Sequence, residues 1–174
     1  MTGNSIFRWL LAALALALAA PTLARAAPVT PARQAKATVT INRPVEVRKL
    51  QDLNFATLAV WSAGTAIMNP NTDTMTTTGG VTYLSGLAYA AMFEAVSPVK
   101  NVVHIRIPNK PITMIRSGGT ETMTVSAWTL SGSANRNVVA KETFSFKVGG
   151  TLTVNANQAE GLYTGVFDVE VQFP

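Results

Sequence analysis

Few side chains of this sequence could act as acids, bases or ligands. The chain has one histidine, His104, and no cysteine, which excludes cysteine nucleophiles, iron–sulfur ligation and the usual His/Cys zinc sites. His104 alternates with Val103 and Ile105, so we expect it on the solvent face of a strand. A general base needs a nucleophile or an acid as partner, and neither a serine elbow nor an acid lies nearby in sequence. We therefore interpret His104 as an exposed strand residue.

Two carboxylates, Asp168 and Glu170, lie two residues apart near the C-terminus. Both project from one face of a predicted strand, where such a pair could serve glycoside hydrolysis or bind calcium. Carboxylates on an exposed face more often keep a sheet edge soluble and discourage pairing. No glycine-rich loop leads from a strand into a helix, as phosphate binding would require. We predict no enzymatic activity, no cofactor and no metal site.

Three aromatic residues, Trp61, Tyr83 and Trp128, could form a platform that stacks on a sugar ring. Aromatic side chains in a β-protein more often fill the core. A self-contained module that binds a carbohydrate or another envelope ligand is therefore the alternative function.

The N-terminus has the pattern of a secretory signal peptide. Arg8 supplies positive charge, Trp9–Ala20 is an uninterrupted apolar run, and small residues at Ala24 and Ala26 suit cleavage after Ala26. The run is too short to span a membrane, which takes about 20 apolar residues. We expect export to the periplasm or cell surface, with no transmembrane segment after cleavage. The predicted organisation is a signal peptide over residues 1–26, an extended leader over 27–35 and one β-domain over 36–174.

Charge argues against nucleic acid as a partner. Charged residues make up 13% of the chain, against about 25% in a typical globular protein. Cleavage would remove Arg8 and Arg25 and no acid, lowering the net charge from +5 to +3. The remaining basic residues are scattered, whereas a phosphate-binding face needs them clustered.

Apolar and polar residues alternate with a period of two along most of the chain, which is typical of strands with one buried face. Clusters rich in Thr, Asn and Gly, such as Asn69–Gly80 and Gly149-Gly150, are predicted as turns. Gly86–Val96 contains good helix formers, but Phe93 and Ala95 alternate with Glu94 and favour a strand. Short strands at this spacing predict an antiparallel sandwich or barrel. The predicted strands are Ala37–Ile41, Val45–Val47, Leu53–Val60, Val81–Ser85, Ala90–Val96, Val102–Ile107, Ile112–Ile115, Thr122–Leu130, Thr143–Val148, Thr151–Val154 and Tyr163–Phe173.

The last predicted strand has the strongest pattern. Its odd-numbered positions, from Tyr163 to Phe173, are all apolar or glycine, whereas Asp168, Glu170 and Gln172 share the other face. This predicts one long antiparallel strand with its apolar side on a core. An open edge on such a strand would invite pairing with another chain.

Three segments resemble a family of secreted bacterial β-domains of unknown function, DUF4402. They are Lys36–Phe55, Thr78–Val81 and Gly150–Phe173, and together they cover most of the chain after the signal peptide. The L-x-F segment and the V-x-A-N-Q-x-x-G-x-Y-T-G-x-F-x-V-x-V ending are the specific parts. This chain has Ala56 where the family commonly has glycine, a departure that concerns one local turn.

The same ending is similar to the subunits of chaperone–usher pili and to spore-coat-type domains. Those subunits tend to have a penultimate aromatic residue, here Phe173, and a glycine thirteen residues before the last, here Gly161. The chain lacks their common disulfide and has Phe where they usually have Tyr. The resemblance implies an immunoglobulin-like, pilin-like β-sandwich completed by a strand from a neighbour.

The function expected from this resemblance is that of an exported, non-catalytic structural or adhesive surface subunit that assembles by β-strand complementation. Its partners would be further copies in a homo-polymer or a periplasmic chaperone and usher. The residues expected to take part in assembly are Val39, Ile41, Val45, Val47, Gly161, Tyr163, Phe167, Val169, Val171 and Phe173.

Overall fold

The computed structural model describes residues 38, 39, 41 and 44–174, and these form an antiparallel all-β fold without a helix. The predicted all-β class is therefore confirmed. Nothing in the described part of the chain is a helix with the length and hydrophobicity to cross a membrane. In chain order the strands are β1 (Glu46–Gln51), β2 (Asn54–Asn69), β3 (Thr74–Tyr89), β4 (Ala91–Val96), β5 (Asn101–Arg106), β6 (Ile112–Arg116), β7 (Thr122–Leu130), β8 (Asn135–Val138), β9 (Thr143–Val154), β10 (Tyr163–Thr164) and β11 (Glu170–Gln172).

The strands form two sheets. The larger sheet has the order β1-β4-β9-β7-β6-β10, and the β2–β3 hairpin joins it through pairing of β2 with β9. The smaller sheet has the order β11-β5-β8. Strand β9 is the centre of the larger sheet, because residues 143–148 pair with β4, residues 151–154 pair with β2, and residues 148–153 pair with β7.

Two clusters of buried side chains hold the sheets together. The first core lies between the two sheets, where Phe93 and Phe146 stack with ring centroids 5.4 Å apart and Ile105 faces them from β5. The second core lies under the β2–β3 hairpin and includes Met68 and Leu152. Each large apolar side chain buried in this way stabilises the fold by about 1.5–3 kcal/mol.

Two segments predicted as turns are strand interiors. The segment Asn69–Gly80 turns only at residues 70–73, and the rest belongs to the two strands of the hairpin. Its many threonines are β-branched and therefore suit a strand as well as a turn. Gly149-Gly150 lies in the middle of β9, where a Cβ on Gly149 would collide with the carbonyl oxygen of Met68 in β2. Glycine permits close strand approach there and does not mark a turn.

The C-terminal segment Tyr163–Phe173 is not one long strand, which corrects the prediction. It pairs with β6 over Tyr163–Thr164 and with β5 over Glu170–Gln172, and residues 165–169 form no strand. The segment crosses from the edge of the larger sheet to the smaller sheet, so it cannot follow one ladder. Its apolar side still faces inward, because Phe167, Val169, Val171 and Phe173 all pack in the first core.

The remaining strand predictions agree with the structure except at the N-terminus and at β8. Gly86–Val96 contains no helix, as expected. Thr38, Val39 and Ile41 lie outside any strand, and Ala37 and Thr40 fall outside the described residues. Strand β8 was not predicted, because its four residues show no apolar alternation. It forms by pairing with β5.

Ala56 occupies a backbone conformation that suits glycine. Its φ is 57°, it lies at an irregularity in the pairing of β2 with β3, and its N–H donates to Asn54 Oδ1 at 2.8 Å. An L-residue is strained at positive φ, whereas glycine is not. The glycine typical of the resembling family therefore fits this conformation better than the alanine found here.

We expect Ala56→Gly to raise the free energy of unfolding by about 1 kcal/mol, because it removes this strain. Urea denaturation of the variant and the parent measures the change. Ala59→Gly is the matched control, since Ala59 pairs regularly with Thr82 in the same hairpin and should lose about 0.5–1 kcal/mol. Equal losses in both variants would contradict the prediction.

Candidate functional site

The β2–β3 hairpin is the longest uncharged element of the described chain. Its strands have 16 residues each, and neither contains Asp, Glu, Lys or Arg. From Leu53 to Phe93 the only charged residue is Asp73, in the turn. The residues that face each other are mostly small, β-branched or hydroxylated, and the hydroxyls of Thr65 and Thr78 lie 2.6 Å apart across the pair. Such pairs stabilise a hairpin without charge.

The hairpin curls so that its turn lies beside the residue that follows β3. A straight 16-residue strand would span about 50 Å. Nevertheless Ala90, which follows β3, donates its N–H to Oδ1 of Asp73, which precedes β3, at 2.9 Å. The pairing of β2 with β3 is irregular at three places, between Phe55 and Thr57, between Thr57 and Leu58, and between Val60 and Gly64, and such irregularities bend a strand pair. At the last of them a Cβ on Gly80 would collide with Ser62.

Asp73 fastens the curled hairpin to the larger sheet. Its Oδ2 accepts a hydrogen bond from Nζ of Lys147 in β9 at 2.9 Å, while Oδ1 holds Ala90. The hydrogen bond from Ala90 and that from Lys147 lower the pKa of Asp73, against the opposing effect of partial burial. The carboxylate is therefore charged at neutral pH, and both contacts favour the closed curl.

Part of the hairpin is exposed on both faces, and we call it the exposed arm: Trp61–Ala63 of β2 and Thr82–Leu87 of β3. It carries four large apolar side chains with high exposed fractions, namely Trp61 (83%), Tyr83 (54%), Leu84 (63%) and Leu87 (79%). Exposed apolar side chains concentrated in one place typically mark an interaction site.

Strand β3 also has an open edge. Among the described residues it pairs only with β2, so the backbone groups on its other side have no strand partner. Natural proteins usually guard such an edge with charged residues or proline, and β3 has neither. An edge without charge or proline is a template for pairing with another strand in the stretches between its pairing irregularities.

The N-terminal residues predicted to take part in assembly differ in their surroundings. Val39 and Ile41 are 81% and 88% exposed, and both lie outside any strand. Val45 packs against the first core, and Val47 lies in β1 opposite Ala95.

The C-terminal residues of that set are used within the chain. Phe167 packs on Trp128, with ring centroids 4.7 Å apart, and Val171 is buried in the first core beside Val169 and Phe173. Tyr163 lies in β10 and donates its hydroxyl to the carbonyl of Ala159, at 2.7 Å. Gly161 precedes β10 and packs against the side chain of Arg116.

The side chains considered for catalysis meet at a shallow groove of about 850 Å³ between β5 and the C-terminal segment. His104, Arg106, Asp168 and Glu170 line it. Arg106 Nη1 lies 3.7 Å from Glu170 Oε2, and His104 Nδ1 lies 2.6 Å from Asn135 Oδ1. Val103 and Ile105 are buried, so the predicted solvent-facing position of His104 is confirmed.

Sequence reasoning treated His104 and the two carboxylates separately, since they lie more than sixty residues apart in the chain. Pairing of β11 with β5 brings them together, and it places Glu170 opposite Arg106. Within the described residues, no group of three or more His, Asp or Glu side chains could hold a metal ion. The groove offers both signs of charge on an open surface, a setting suited to weak polar contacts.

The comparisons with known proteins found one family. Residues 45–173 match the sequence model of a family described as Domain of unknown function (DUF4402). The match begins just before β1 and ends just after β11, so it includes both sheets and both cores. No curated protein and no solved structure matches the chain.

Proposed function

The chain belongs to the DUF4402 family, and we propose that this member is an exported, non-catalytic structural or adhesive surface subunit that associates with other subunits through β-strand pairing. It would act in the periplasm or at the cell surface, to which the signal-like N-terminus would direct it. Further copies of the chain, or a periplasmic chaperone and usher, would be its partners.

One observation carries the proposal, namely the uncharged open edge of β3 beside the exposed arm. Strand pairing needs free backbone donors and acceptors, and it gains further from apolar side chains that become covered. The N-terminal residues Val39 and Ile41 support the same function, because they alternate with threonine and are exposed in the single chain. The C-terminal apolar residues do not support it, because they already fill the first core.

The proposal includes an immunoglobulin-like, pilin-like relationship for the part of the fold around the first core. Two antiparallel sheets that face each other across that core support it. The curled β2–β3 hairpin is an addition to a simple sandwich of this type.

Assembly is tested by the mass of the exported chain in solution. We expect light scattering after size-exclusion chromatography to find species larger than one subunit, and we expect gels to show ladders that survive mild detergent without boiling. A version lacking residues 27–35 tests whether the leader contributes. A strictly monomeric, heat-stable protein at all concentrations would contradict the proposal.

A carbohydrate- or ligand-binding module remains the second candidate, favoured by the exposure of Trp61 and Tyr83 on one hairpin. Trp128 does not belong to such a platform, because its ring packs on Phe167 and its Nε1 donates to the carbonyl of Lys110 at 3.0 Å. We expect a bound sugar to change the fluorescence of Trp61 and not that of Trp128. The Trp61→Phe variant keeps Trp128 and therefore separates the fluorescence of the two residues. If the emission spectrum of the parent protein is unchanged with every sugar tested, this candidate is excluded.

A further inference from the structure

We infer that the open edge of β3 pairs antiparallel with the same edge of a second copy, which gives a twofold dimer as the building unit of the proposed assembly. The inference rests on the proposed function, and it names both the strand and the partner. It places the pairing within Val81–Ser85, where the pairing of β3 with β2 is regular over Val81–Tyr83 and irregular at Leu84, between the irregularities at Gly79-Gly80 and Gly86.

The other sheet edges of the described chain are guarded or short. Strand β1 exposes Glu46, Arg48 and Lys49, and such charges discourage pairing. Strand β8 has four residues and includes Arg136, while β10 and β11 have two and three residues. Among the described strands, β3 is thus the long edge without charge.

Charge at the β3 edge permits a second copy as the occupant. The chain that remains after the predicted cleavage carries a net charge of +3, so two copies repel each other only weakly. The hairpin strands are neutral, so opposing two β3 edges adds no like-charge pair. Val81, Thr82 and Tyr83 are also residue types that strands favour.

The exposed arm would add apolar area to a contact between two copies. An aromatic side chain buries about 150–250 Å² when it is fully covered. In a twofold contact both copies contribute the same side chains to the buried area, here Trp61, Tyr83, Leu84 and Leu87. Together with the paired backbones, these side chains would supply part of the roughly 1,200 Å² at which stable interfaces begin.

Single cysteines test the pairing directly, because the parent chain has no cysteine. We would introduce Thr82→Cys, Leu84→Cys and Ser85→Cys separately into the full chain and oxidise each exported protein mildly. Antiparallel pairing about a twofold axis brings one position close to its own copy, within reach of a disulfide. We expect covalent dimers to peak sharply at one of the three positions. The control, Lys49→Cys on the exposed β1 edge, should remain monomeric; equal cross-linking there, or none on β3, would overturn the inference.

A charge placed on the edge gives a second and reversible test. Leu84→Lys should raise the concentration at which dimers form at least tenfold, because it opposes two like charges across the axis. Leu162→Lys is the matched control, since Leu162 is 68% exposed and lies outside the hairpin. If assembly persists in Leu84→Lys and no β3 disulfide forms, then this inference is wrong and the proposed function stands. If the parent itself never associates, both are wrong, and a sugar-dependent change in Trp61 fluorescence would then assign the arm to a ligand.

Discussion

Replacing Gly149 by alanine is expected to lower the free energy of unfolding by about 3 kcal/mol. Gly149 is buried in the middle of β9, where β2 and β4 meet the same strand. A Cβ at this position would collide with the Met68 carbonyl oxygen and lie 2.8 Å from Cδ of Pro70. Because the first obstacle is backbone, β2 would have to move away from β9, and that displacement would open the second core.

Urea denaturation measures this loss, and Gly150→Ala is its control. A Cβ on Gly150 would lie 3.2 Å from side-chain atoms of Trp128 and Val125 and 3.3 Å from the carbonyl oxygen of Ser126. These contacts require a shift of only a few tenths of an ångström, so we expect a loss of about 1 kcal/mol. If the two variants lose equal stability, then the close approach of β2 to Gly149 does not determine the cost of adding a side chain there.

Replacing Asp73 by alanine is expected to lower the free energy of unfolding by about 2–3 kcal/mol, the second large effect. The substitution leaves the N–H of the fully buried Ala90 without its acceptor and Lys147 without its ion-pair partner. Alanine is also strained at the φ of 58° that Asp73 adopts. Thermal and urea unfolding both report the loss.

Asp73→Asn separates the hydrogen bond from the charge. Asparagine keeps an oxygen for the Ala90 N–H and tolerates positive φ, so it loses only the partly exposed ion pair, about 0–1 kcal/mol. A loss in Asp73→Asn as large as that in Asp73→Ala would show that the charge, and not the backbone contact, closes the hairpin.

The pH dependence of stability follows from the lowered pKa of Asp73, whose largest cause is the hydrogen bond from Ala90. Because the folded-state pKa lies below the ordinary value of 3.8, the stabilising contribution is fully present above that value. It is lost as the pH falls through the lower, folded-state pKa. We therefore expect the difference in unfolding free energy between the parent and Asp73→Asn to shrink on acidification below about pH 4. A difference that is constant down to pH 2 would contradict this.

The period-two pattern was a reliable guide wherever one face of a strand meets a core. Strand β5 is an example, because Val103 and Ile105 are buried while His104 and Arg106 are not. In β3 the pattern predicted only Val81–Ser85, because residues 76–80 suggested a turn and residues 82–87 are exposed on both faces, which gives no buried side to alternate with. It also failed at Gly149, since only the three-dimensional approach of Met68 explains that glycine.

The candidate surface was partly visible in the sequence. The absence of charge on both sides of Asp73 could have indicated an unusual hairpin, but the threonines and glycines suggested a turn instead. The open edge itself could not be predicted, because strand order depends on which distant segments pair with β9. The exposure of Trp61 and the partial burial of Trp128 against Phe167 likewise depend on tertiary contacts, which strand alternation alone does not give.

The path of the C-terminal segment has a consequence for the order of events during folding. Val171, three residues from the end of the chain, contributes to the first core, and β11 completes the smaller sheet. The two layers therefore close on each other only when residues 163–172 are available to pair. Since most contacting residues lie far apart in the chain, folding should be slow, and a variant truncated before Tyr163 should remain sensitive to proteases.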